Sequence, residues 1–453
     1  MSSKGNIEIT LPKQALRLME VLESANIESW IVGGFVRDAV LGKTGADIDL
    51  ACSAHWQETQ RVCEQAGMHT HETGVKHGTL TVVVDDMAFE VTTFRQDGVY
   101  TKNRRPKTVE FVQSILEDLA RRDFTINAIA YRPQVGFVDP YGGIADIQNK
   151  VIRAVGAPEV RFKEDALRVL RACRFAAQLG FEIDAETKYG MLQNKYLLTN
   201  ISDERITAEL NKLLLASNAG DVIVKHADVL SAVLPELVAM QGFNQKNQYH
   251  IYDMLAHSAK AVDGTPATLL LRWAALLHDI GKPASYCEDK TGQGHAYGHA
   301  AIGARLANGA LQRFCFSQKF INDVALLVRH HDDSIPTTKK GVKRMLGRLN
   351  DSPELFYALC DLKIADARAH APEFISEQVE NANELRAMFE CIQANGEPFS
   401  VRDLAINGSD VMALGVEQGT RVGQLLHKAL DAVIDGRVEN AREQLLAFVK
   451  SAI

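Results

Sequence analysis

The sequence predicts an α+β protein: a head built on a small β-sheet, followed by parts that are all helical. Three observations support this prediction. Short apolar runs bounded by turn residues, which are typical of strands, occur within roughly the first 150 residues. Beyond Pro158 the pattern changes to helices with few strand signals. The 453 residues are enough for two to four domains at about 100–200 residues each.

The predicted elements of the head follow one another along the chain. Residues 11–25 carry apolar side chains at helical spacing and predict an amphipathic helix. A strand over 30–32 leads through Gly33 and Gly34 into a helix over 35–41. Further strands are predicted over 46–52, 79–84 and 88–94, the last two forming a hairpin with residues 85–87 between them.

The composition excludes several classes of protein. Hydrophobic residues make up 46% and charged residues 24%, as in an ordinary globular protein. The densest apolar stretch, 267–277, is short and interrupted by Arg272, so no membrane span and no membrane partner are expected. The opening residues MSSKGNIEIT lack an apolar signal core. Seven cysteines without a CxxC pair predict neither a disulfide framework nor a zinc knuckle, which favours a cytoplasmic location.

The charge distribution allows a local nucleic-acid groove but not a general basic coat. The net charge is −7, from 50 basic and 57 acidic residues. Basic side chains are concentrated in residues 102–122 and 153–174. Exposed helix faces would also explain the basic residues in these two segments, but both segments flank others that have catalytic features.

Two aspartates, Asp47 and Asp49, lie one residue apart in the strand predicted over 46–52. Side chains alternate along a strand, so both project from the same face. Carboxylates this close repel each other unless a cation lies between them, and hard oxygen ligands suit Mg²⁺. A surface pair without a metal is the commoner origin of such a motif, so its meaning depends on the neighbouring residues.

A glycine turn lies just upstream of these aspartates. Gly33 and Gly34 close a strand and open a helix, and such a turn lets backbone N–H groups approach a phosphate. Arg37 can neutralise the same phosphates. A glycine turn with metal-binding carboxylates on the next strand is one way to arrange phosphoryl and nucleotidyl transfer. Glu90, on the predicted hairpin, is either a third carboxylate of this site or the partner of a neighbouring arginine.

A helix is predicted to begin at residues 164–168 and to continue through Arg171 and Arg174. Asp165 and Arg168 would then share one face, as an ion pair or as a pair that reads a base. Cytosine and adenine both present an amino donor beside a ring-nitrogen acceptor, which Asp165 and Arg168 would match; uracil and guanine present a carbonyl beside an N–H. The pair would therefore select CTP and ATP. Arg171 and Arg174 could contact the triphosphate or the RNA backbone.

A series of motifs runs in order through the first half of the chain. They are VGGFVRD, DIDLAC, HGTLTVVV…FEVTTFR, DGVYTKNRRPKTVEF, EDLARRDFTINAIA, DPYGGIADI and RFKEDALRVLRACRFAAQLGF. SDERITAELNKLL follows, and LAINGSDVMALG and ALDAVIDGRVEN match more loosely in the tail. Together these motifs resemble the class II tRNA nucleotidyltransferases, the CCA-adding enzymes.

The resemblance implies a polymerase-β-like nucleotidyltransferase head in which Asp47 and Asp49 hold Mg²⁺. Glu204 and Arg205 match a neck motif that supports the base-reading helix. The stretch DGVYTKNRRP resembles a flexible loop that helps the switch from C to A addition, which favours full CCA activity. The resemblance places the incoming nucleotide on Gly34, Arg37, Arg122, Asp165, Arg168, Arg171 and Arg174, with Asp123 and Asn127 positioning the ribose and the local loop.

Residues 250–370 contain a second cluster, of histidines and aspartates, a mixture that binds divalent metals. His278-Asp279, followed by Ile-Gly-Lys, resembles the HD-domain phosphohydrolases. This resemblance implies that a divalent metal (Mg²⁺, Mn²⁺, Ni²⁺ or Co²⁺) activates a water that attacks a phosphate. The alternative is a helical scaffold for RNA that retains these residues. The implied ligands are His257, His278, Asp279 and Asp366. His295, His299, His330 and His331 accompany them, and His250 and His331 are predicted to be structural or to support the ligands from outside.

We therefore predict four parts: a nucleotidyltransferase head (1–155), a helical neck with the base-reading motif (156–220), a helical body (221–395) with the HD domain at about 250–370, and a helical tail (396–453). The predicted function is addition of CCA to the 3′ end of tRNA from CTP and ATP, with release of pyrophosphate. Two alternatives stay open. One is an A-adding enzyme or a poly(A) polymerase, and the other is an HD phosphohydrolase with a nucleotide-sensing head.

Overall fold

The computed structural model describes residues 9–43, 47–97 and 109–453. The chain divides into two compact units. Unit 1 contains the residues up to Asn218 together with Asp228–Pro235, and unit 2 contains Ala219–Ala227 and Glu236–Ile453.

The β-structure is concentrated in unit 1. Within the described ranges, the main sheet has seven strands in the order β3-β4-β5-β2-β1-β8-β9. Strands β2 and β5 are parallel, and the other neighbours in this sheet are antiparallel. Three two-stranded sheets pair β6 with β7, β10 with β11 and β12 with β13. The strands are β1 (Ser29–Val32), β2 (Asp49–Cys52), β3 (His69–Gly74), β4 (Thr79–Val84), β5 (Met87–Thr93), β6 (Arg95–Asp97), β7 (Val109–Phe111), β8 (Ala130–Arg132), β9 (Gly136–Val138), β10 (Val151–Ile152), β11 (Glu182–Ile183), β12 (Tyr286–Glu288) and β13 (Gly294–Ala296).

Helices make up most of the chain after β10, as the sequence predicts. Short 3₁₀ turns occur at Val75–His77, Thr125–Asn127, Lys195–Asn200 and Val401–Asp403. The α-helices of the described residues are α1 (Lys13–Ser24), α2 (Gly34–Val40), α3 (Trp56–Gln65), α4 (Ile115–Ala120), α5 (Gly143–Gln148), α6 (Pro158–Glu164), α7 (Leu167–Leu179), α8 (Ala185–Asn194), α9 (Asp203–Leu214), α10 (Ala219–Lys225), α11 (Ala227–Leu230), α12 (Leu237–Met240), α13 (Met254–Gly264), α14 (Leu269–Leu277), α15 (Lys282–Ser285), α16 (His299–Gln312), α17 (Gln318–His330), α18 (Lys339–Arg348), α19 (Pro353–Arg368), α20 (Pro372–Ala394), α21 (Gly408–Ala413), α22 (Thr420–Ile434) and α23 (Arg442–Ala452).

The hairpin of β4 and β5 shows how local sequence determines the strands and the turn of this part of the sheet. Alternate residues of β4 are buried, which is the pattern of a strand with one face on the core. Asp85 and Asp86 have φ angles of 46° and 66°, the left-handed pair that a tight two-residue hairpin turn requires. Met87, predicted in the turn, is already the first residue of β5.

The centre of the sheet is buried and positions the residues at the ends of its strands. All four residues of β1 are buried, and Trp30 of β1, Ala51 of β2 and Phe94, which directly follows β5, belong to one apolar cluster with residues of α4. The strand predicted from residue 46 begins at Asp49, and residues 44–46 lie outside the described ranges. Asp47 and Asp49 are exposed and Ile48 is buried, so the alternation expected of the two aspartates is present.

The helix predicted to begin at residues 164–168 and to continue through Arg174 is present as α7, but Asp165 lies before it, so the prediction that Asp165 and Arg168 share one helix face is wrong. Helix α6 ends at Glu164, Asp165 has an extended backbone (φ −134°, ψ 104°), and α7 begins at Leu167. The physical reason lies in the Asp165 side chain, whose Oδ1 accepts a hydrogen bond from the backbone N–H of Leu167 at 3.1 Å. Aspartate competes in this way with the helical backbone and favours helix starts over helix interiors.

Unit 2 is helical apart from the short hairpin of β12 and β13. Helix α13 packs against α14 and α19, and α14 packs against α17. The last helices, α21 to α23, enclose an apolar cluster that includes Val411, Leu425 and Leu445. Among the described helices, none is long and apolar enough to cross a membrane.

Candidate functional site

A cavity of about 780 Å³ lies in unit 1 beside the central strands of the main sheet. Most of the predicted site residues line it, and they come from six separate segments of the chain. Asp47 and Arg174 do not line it. The predicted residues that do are Gly33, Gly34, Arg37, Asp49, Glu90, Arg122, Asp123, Asn127, Asp165, Arg168, Arg171 and Arg205.

Carboxylates gather at one wall of this cavity. Asp49 on β2 is the direct register partner of Glu90 on the parallel strand β5. Desolvation, then repulsion by Glu90, raises the pKa of Asp49 to about 6, with Arg122 lowering it and Asp47 raising it further. In the described part of the chain Glu90 makes no ion pair, so the arginine partner considered for it is not seen.

Asp49 and Glu90 at this wall carry carboxylate oxygens, the hard donors that Mg²⁺ prefers, and Asp47 lies two residues from Asp49 outside the cavity lining. Burial is the largest cause of the raised pKa of Asp49, and the neighbouring carboxylate of Glu90 is the second. The identity of the metal remains a prediction.

Gly33 brings the backbone close to these charged groups. Its φ of 74° lies in the left-handed region that favours glycine. A Cβ there would be 3.2 Å from Nη1 of Arg122 and 3.7 Å from Oδ2 of Asp49. A side chain at this position would therefore intrude into the cavity wall.

Acidic residues hold the cavity arginines in place. Asp118 is fully buried and accepts hydrogen bonds from Arg121 at 2.7 Å and Arg122 at 3.1 Å. Burial raises the pKa of Asp118, but the two guanidinium groups outweigh this and lower it. The guanidinium groups of Arg121 and Arg122 are therefore paired with Asp118 and held in one orientation.

Asp123 likewise holds a third arginine of the cavity, Arg171. Its Oδ2 accepts from Nε of Arg171 at 2.7 Å, and its Oδ1 accepts from Nδ2 of Asn127 at 3.1 Å. Asn127 Oδ1 in turn accepts from Nη1 of Arg37 at 2.9 Å. A continuous hydrogen-bond chain thus joins α2, the turn at Thr125–Asn127 and α7.

The proposed base-reading pair is not an ion pair. Arg168 Nη1 lies 2.6 Å from a carboxylate oxygen of Glu164 and 3.0 Å from the carbonyl of Arg161. Asp165 instead accepts from Nη2 of Arg205 at 2.8 Å. Each carboxylate oxygen has a second lone pair, so Asp165 can still accept from a base.

A cluster of histidines and aspartates forms in unit 2, inside the bundle that contains α13, α14 and α19. Oδ1 of Asp366 lies 2.8 Å from Nε2 of His257 and 3.3 Å from Nε2 of His278. Oδ2 of Asp279 lies 3.6 and 3.3 Å from the same two nitrogens. The four residues that the resemblance implies as ligands therefore point at one position, with the mixed nitrogen and oxygen donors that suit divalent metals.

Two histidines that were not predicted as ligands join this cluster. The other oxygen of Asp279, Oδ1, lies 3.4 Å from Nε2 of His331 and 3.7 Å from Nε2 of His299. His331 was predicted to be structural or to support the ligands, and its contact with Asp279 fits the second alternative. His299 belongs to the GHAYGH segment, which could have marked it. His250 contacts Nζ of Lys282 at 3.3 Å and stacks edge-on against His257.

Part of the predicted machinery falls on residues that are not described. The stretch DGVYTKNRRP lies outside the described ranges except for Asp97. Four basic residues of the first window, Lys102, Arg104, Arg105 and Lys107, lie outside them as well.

Comparison with known families defines the class of protein. Residues 29–153 match the "Poly A polymerase head domain", residues 180–240 match the "Probable RNA and SrmB- binding site of polymerase A", and residues 248–370 match the "HD domain". The fold and the two clusters of charged residues thus belong to a nucleotidyltransferase that also carries an HD domain.

Relatives that match over the full length give the family. The CCA-adding enzyme of Geobacillus kaustophilus (strain HTA426) is 34% identical over 441 residues, 96% of each chain. The CCA-adding enzyme of Streptococcus mutans is 31% identical over 449 residues, 97% of each chain. A crystal structure of the Bacillus stearothermophilus CCA-adding enzyme in complex with CTP has 29% identity, a TM-score of 0.70 and 97% coverage of both chains. The chain belongs to the CCA-adding enzymes, the tRNA nucleotidyltransferases that its motifs resemble.

Proposed function

We propose that this protein adds C, C and A to the 3′ end of tRNA from CTP and ATP, releasing pyrophosphate at each step. One observation carries the proposal: the carboxylates Asp49 and Glu90, the Gly33 turn and the pair Asp165 and Arg168 all line one cavity. The relatives' names support it, as do the complexes of family members with CTP and, from Thermotoga maritima, with tRNA_CCA.

The carboxylate wall would hold the catalytic metal. Asp47, Asp49 and Glu90 would hold Mg²⁺, which would supply activation of the tRNA 3′-hydroxyl and charge stabilisation for the departing pyrophosphate. Gly33 keeps the wall open, because any side chain there would meet Arg122 and Asp49.

The arginines of the cavity would bind the triphosphate. Arg37 and Arg171 are joined through Asn127 and Asp123, and Arg122 is held by Asp118. These groups keep their positions before the nucleotide arrives, so little ordering is needed on binding.

The base would be read at the break between α6 and α7. Asp165 accepts from the amino group of cytosine or adenine, and Arg168 donates to the ring nitrogen. Arg205 fixes the Asp165 carboxylate, and Glu164 fixes the Arg168 guanidinium. The tRNA would be held by its shape and phosphates, since the major groove of its acceptor duplex is too narrow to read.

The test uses purified protein, Mg²⁺ and a tRNA transcript lacking its last three nucleotides, with each labelled NTP alone and in combination. Two C additions with CTP alone, and one further A with CTP and ATP, are expected. Addition of A only to a transcript already ending in CC would identify an A-adding enzyme. An unlimited A ladder would identify a poly(A) polymerase, which shares the head domain.

A second activity is proposed for the cluster in unit 2. His257, His278, Asp279 and Asp366 would hold a divalent metal, and the second oxygen of Asp279, with His299 and His331, could share a second ion. A metal held there supplies an activated water for phosphate-ester hydrolysis. Hydrolysis of a chromogenic phosphodiester in the presence of Mn²⁺, Ni²⁺ or Co²⁺ tests this proposal. If none of these metals supports hydrolysis, the scaffold role is favoured.

The cytoplasmic location inferred from the cysteines remains a prediction.

A further inference from the structure

One aromatic ring contacts three arginines of the nucleotide site. The guanidinium carbon of Arg174 lies 4.1 Å from the centroid of the Phe175 ring, that of Arg37 lies 5.3 Å from it and that of Arg171 lies 5.4 Å from it. Phe175 itself is 7% exposed and lines the cavity. Cations are attracted to the face of an aromatic ring by its quadrupole.

The arrangement brings together charges that should repel. Arg37 comes from α2, whereas Arg171 and Arg174 come from α7. Each of the three also has an acidic partner: Nε of Arg174 lies 3.2 Å from Oε2 of the buried Glu209, Arg171 pairs with Asp123, and Nη2 of Arg37 lies 2.8 Å from Oδ1 of Asp38. The ring supplies a shared, uncharged surface on which three guanidinium groups can stay close together.

Arg174 occupies a particular place in this arrangement. It is 7% exposed and does not line the cavity, although the family resemblance places it among the nucleotide-binding residues. Its contacts are with Glu209 and the Phe175 ring. Arg174 can therefore act on the nucleotide through the ring and its neighbours rather than by touching it.

We propose that Phe175 is a positioning residue, whose ring, backed by Arg174 and Glu209, holds Arg37 and Arg171 in the orientation that binds the nucleotide triphosphate. The proposal rests on the proposed function, in which these arginines bind the phosphates. It assigns to Phe175 a role in phosphate affinity, not in reading the base. Removing the ring should therefore weaken the binding of a ligand that has phosphates but no base as much as it weakens the binding of CTP.

The test compares Phe175→Leu, which keeps the apolar bulk but removes the ring, with Phe175→Tyr, which keeps the ring. Phe124→Leu is the matched control, because Phe124 packs edge-on against Phe175 at 5.8 Å and is fully buried, but does not line the cavity. Calorimetric binding of CTP and of tripolyphosphate to the full chain is measured with thermal unfolding. Phe175→Leu should weaken both ligands by about tenfold, Phe175→Tyr should stay within about threefold of the native affinity, and Phe124→Leu should lower only the unfolding temperature.

Three outcomes would overturn the proposal: native affinity for tripolyphosphate in Phe175→Leu, weakening confined to CTP, or equal weakening in Phe124→Leu. If Phe175→Leu does not fold, Phe175→Met takes its place with the same expectations. Because binding is measured without tRNA, failure of the wild-type protein to extend tRNA would reject the proposed function and leave the result for Phe175 readable.

Discussion

Asp49 and Glu90 are direct neighbours on two parallel strands, one at the start of β2 and the other in the middle of β5. They are 41 positions apart in the chain, and the crossover through α3, β3 and β4 brings them together. This neighbourhood raises the pKa of Asp49, through desolvation and then through the charge of Glu90. In the proposed function this pair would hold a cation beside the turn at Gly33.

Gly33→Ala should weaken nucleotide binding, since its Cβ would lie 3.2 Å from Arg122 Nη1. Gly42→Ala is the matched control, with a φ of 71° and nothing within 4 Å of the added Cβ. Both variants should lose about 1 kcal/mol or more of unfolding free energy, because both backbones have a positive φ that L side chains rarely adopt, but only Gly33→Ala should lower the affinity for CTP. Equal affinities in calorimetry would show that the glycine serves the turn and not the site.

Asp165→Ala should reduce discrimination against UTP and GTP by about tenfold, because the acceptor for the amino group is lost. Arg205→Ala should act in the same direction with a smaller effect, since Arg205 orients Asp165. Single-nucleotide incorporation with each NTP measures both. Arg153→Ala is the control, because Arg153 pairs with Asp146 and Asp184 and does not line the cavity. Unchanged selectivity in Asp165→Ala would mean that the base is read elsewhere.

His257→Ala should remove metal-dependent hydrolysis in unit 2 and leave CCA addition intact. His257 is fully buried and lies 2.8 Å from Asp366, so its removal takes one ligand from the proposed metal position. Bound Mn²⁺ is counted by elemental analysis in the native protein and in the variant. A variant that retains both the metal and the hydrolysis would exclude His257 as a ligand.

Glu397→Gln should destabilise the protein at neutral pH and much less at pH 2.5. Hydrogen bonds from Lys339 and Lys343 lower the pKa of Glu397 to about 2, from an ordinary value of 4.5. A lowered carboxyl pKa contributes stability above the unfolded-state value, and this is lost as the pH falls from 4.5 towards 2. The expected loss at pH 7 is about 1 kcal/mol, since the pair is partly exposed. Unfolding midpoints at pH 7 and 2.5 check this, and an equal effect at both values would contradict the ion-pair origin.

The sequence predicts much of the head because its signals are local. The apolar run at 30–32, the glycine turn and the alternation around Ile48 all require only neighbouring residues, and they appear in β1, α2 and β2. Asp165 was misplaced because its preference for a helix start competes with the helical spacing of the apolar residues around it.

Contacts between segments that are distant in the sequence could not be predicted from these local signals. The pairing of Asp165 with Arg205 and the three arginines on Phe175 depend on how α2, α7 and α9 pack, not on their spacing in the sequence. The same holds for His331, which meets Asp279 only because α17 packs against α14.

The central claim is tested most directly by the length of the product formed on a tRNA transcript that lacks its last three nucleotides. The native protein is compared with Asp49→Ala and Asp47→Ala in the presence of CTP, ATP and Mg²⁺. The native protein should add three nucleotides ending in CCA and then stop. Both variants should add none, because the carboxylates that hold the metal are removed, while hydrolysis by unit 2 is unchanged. Extension by either variant at the native rate would contradict the assignment of the carboxylate wall, and a native product without CCA would contradict the proposed function.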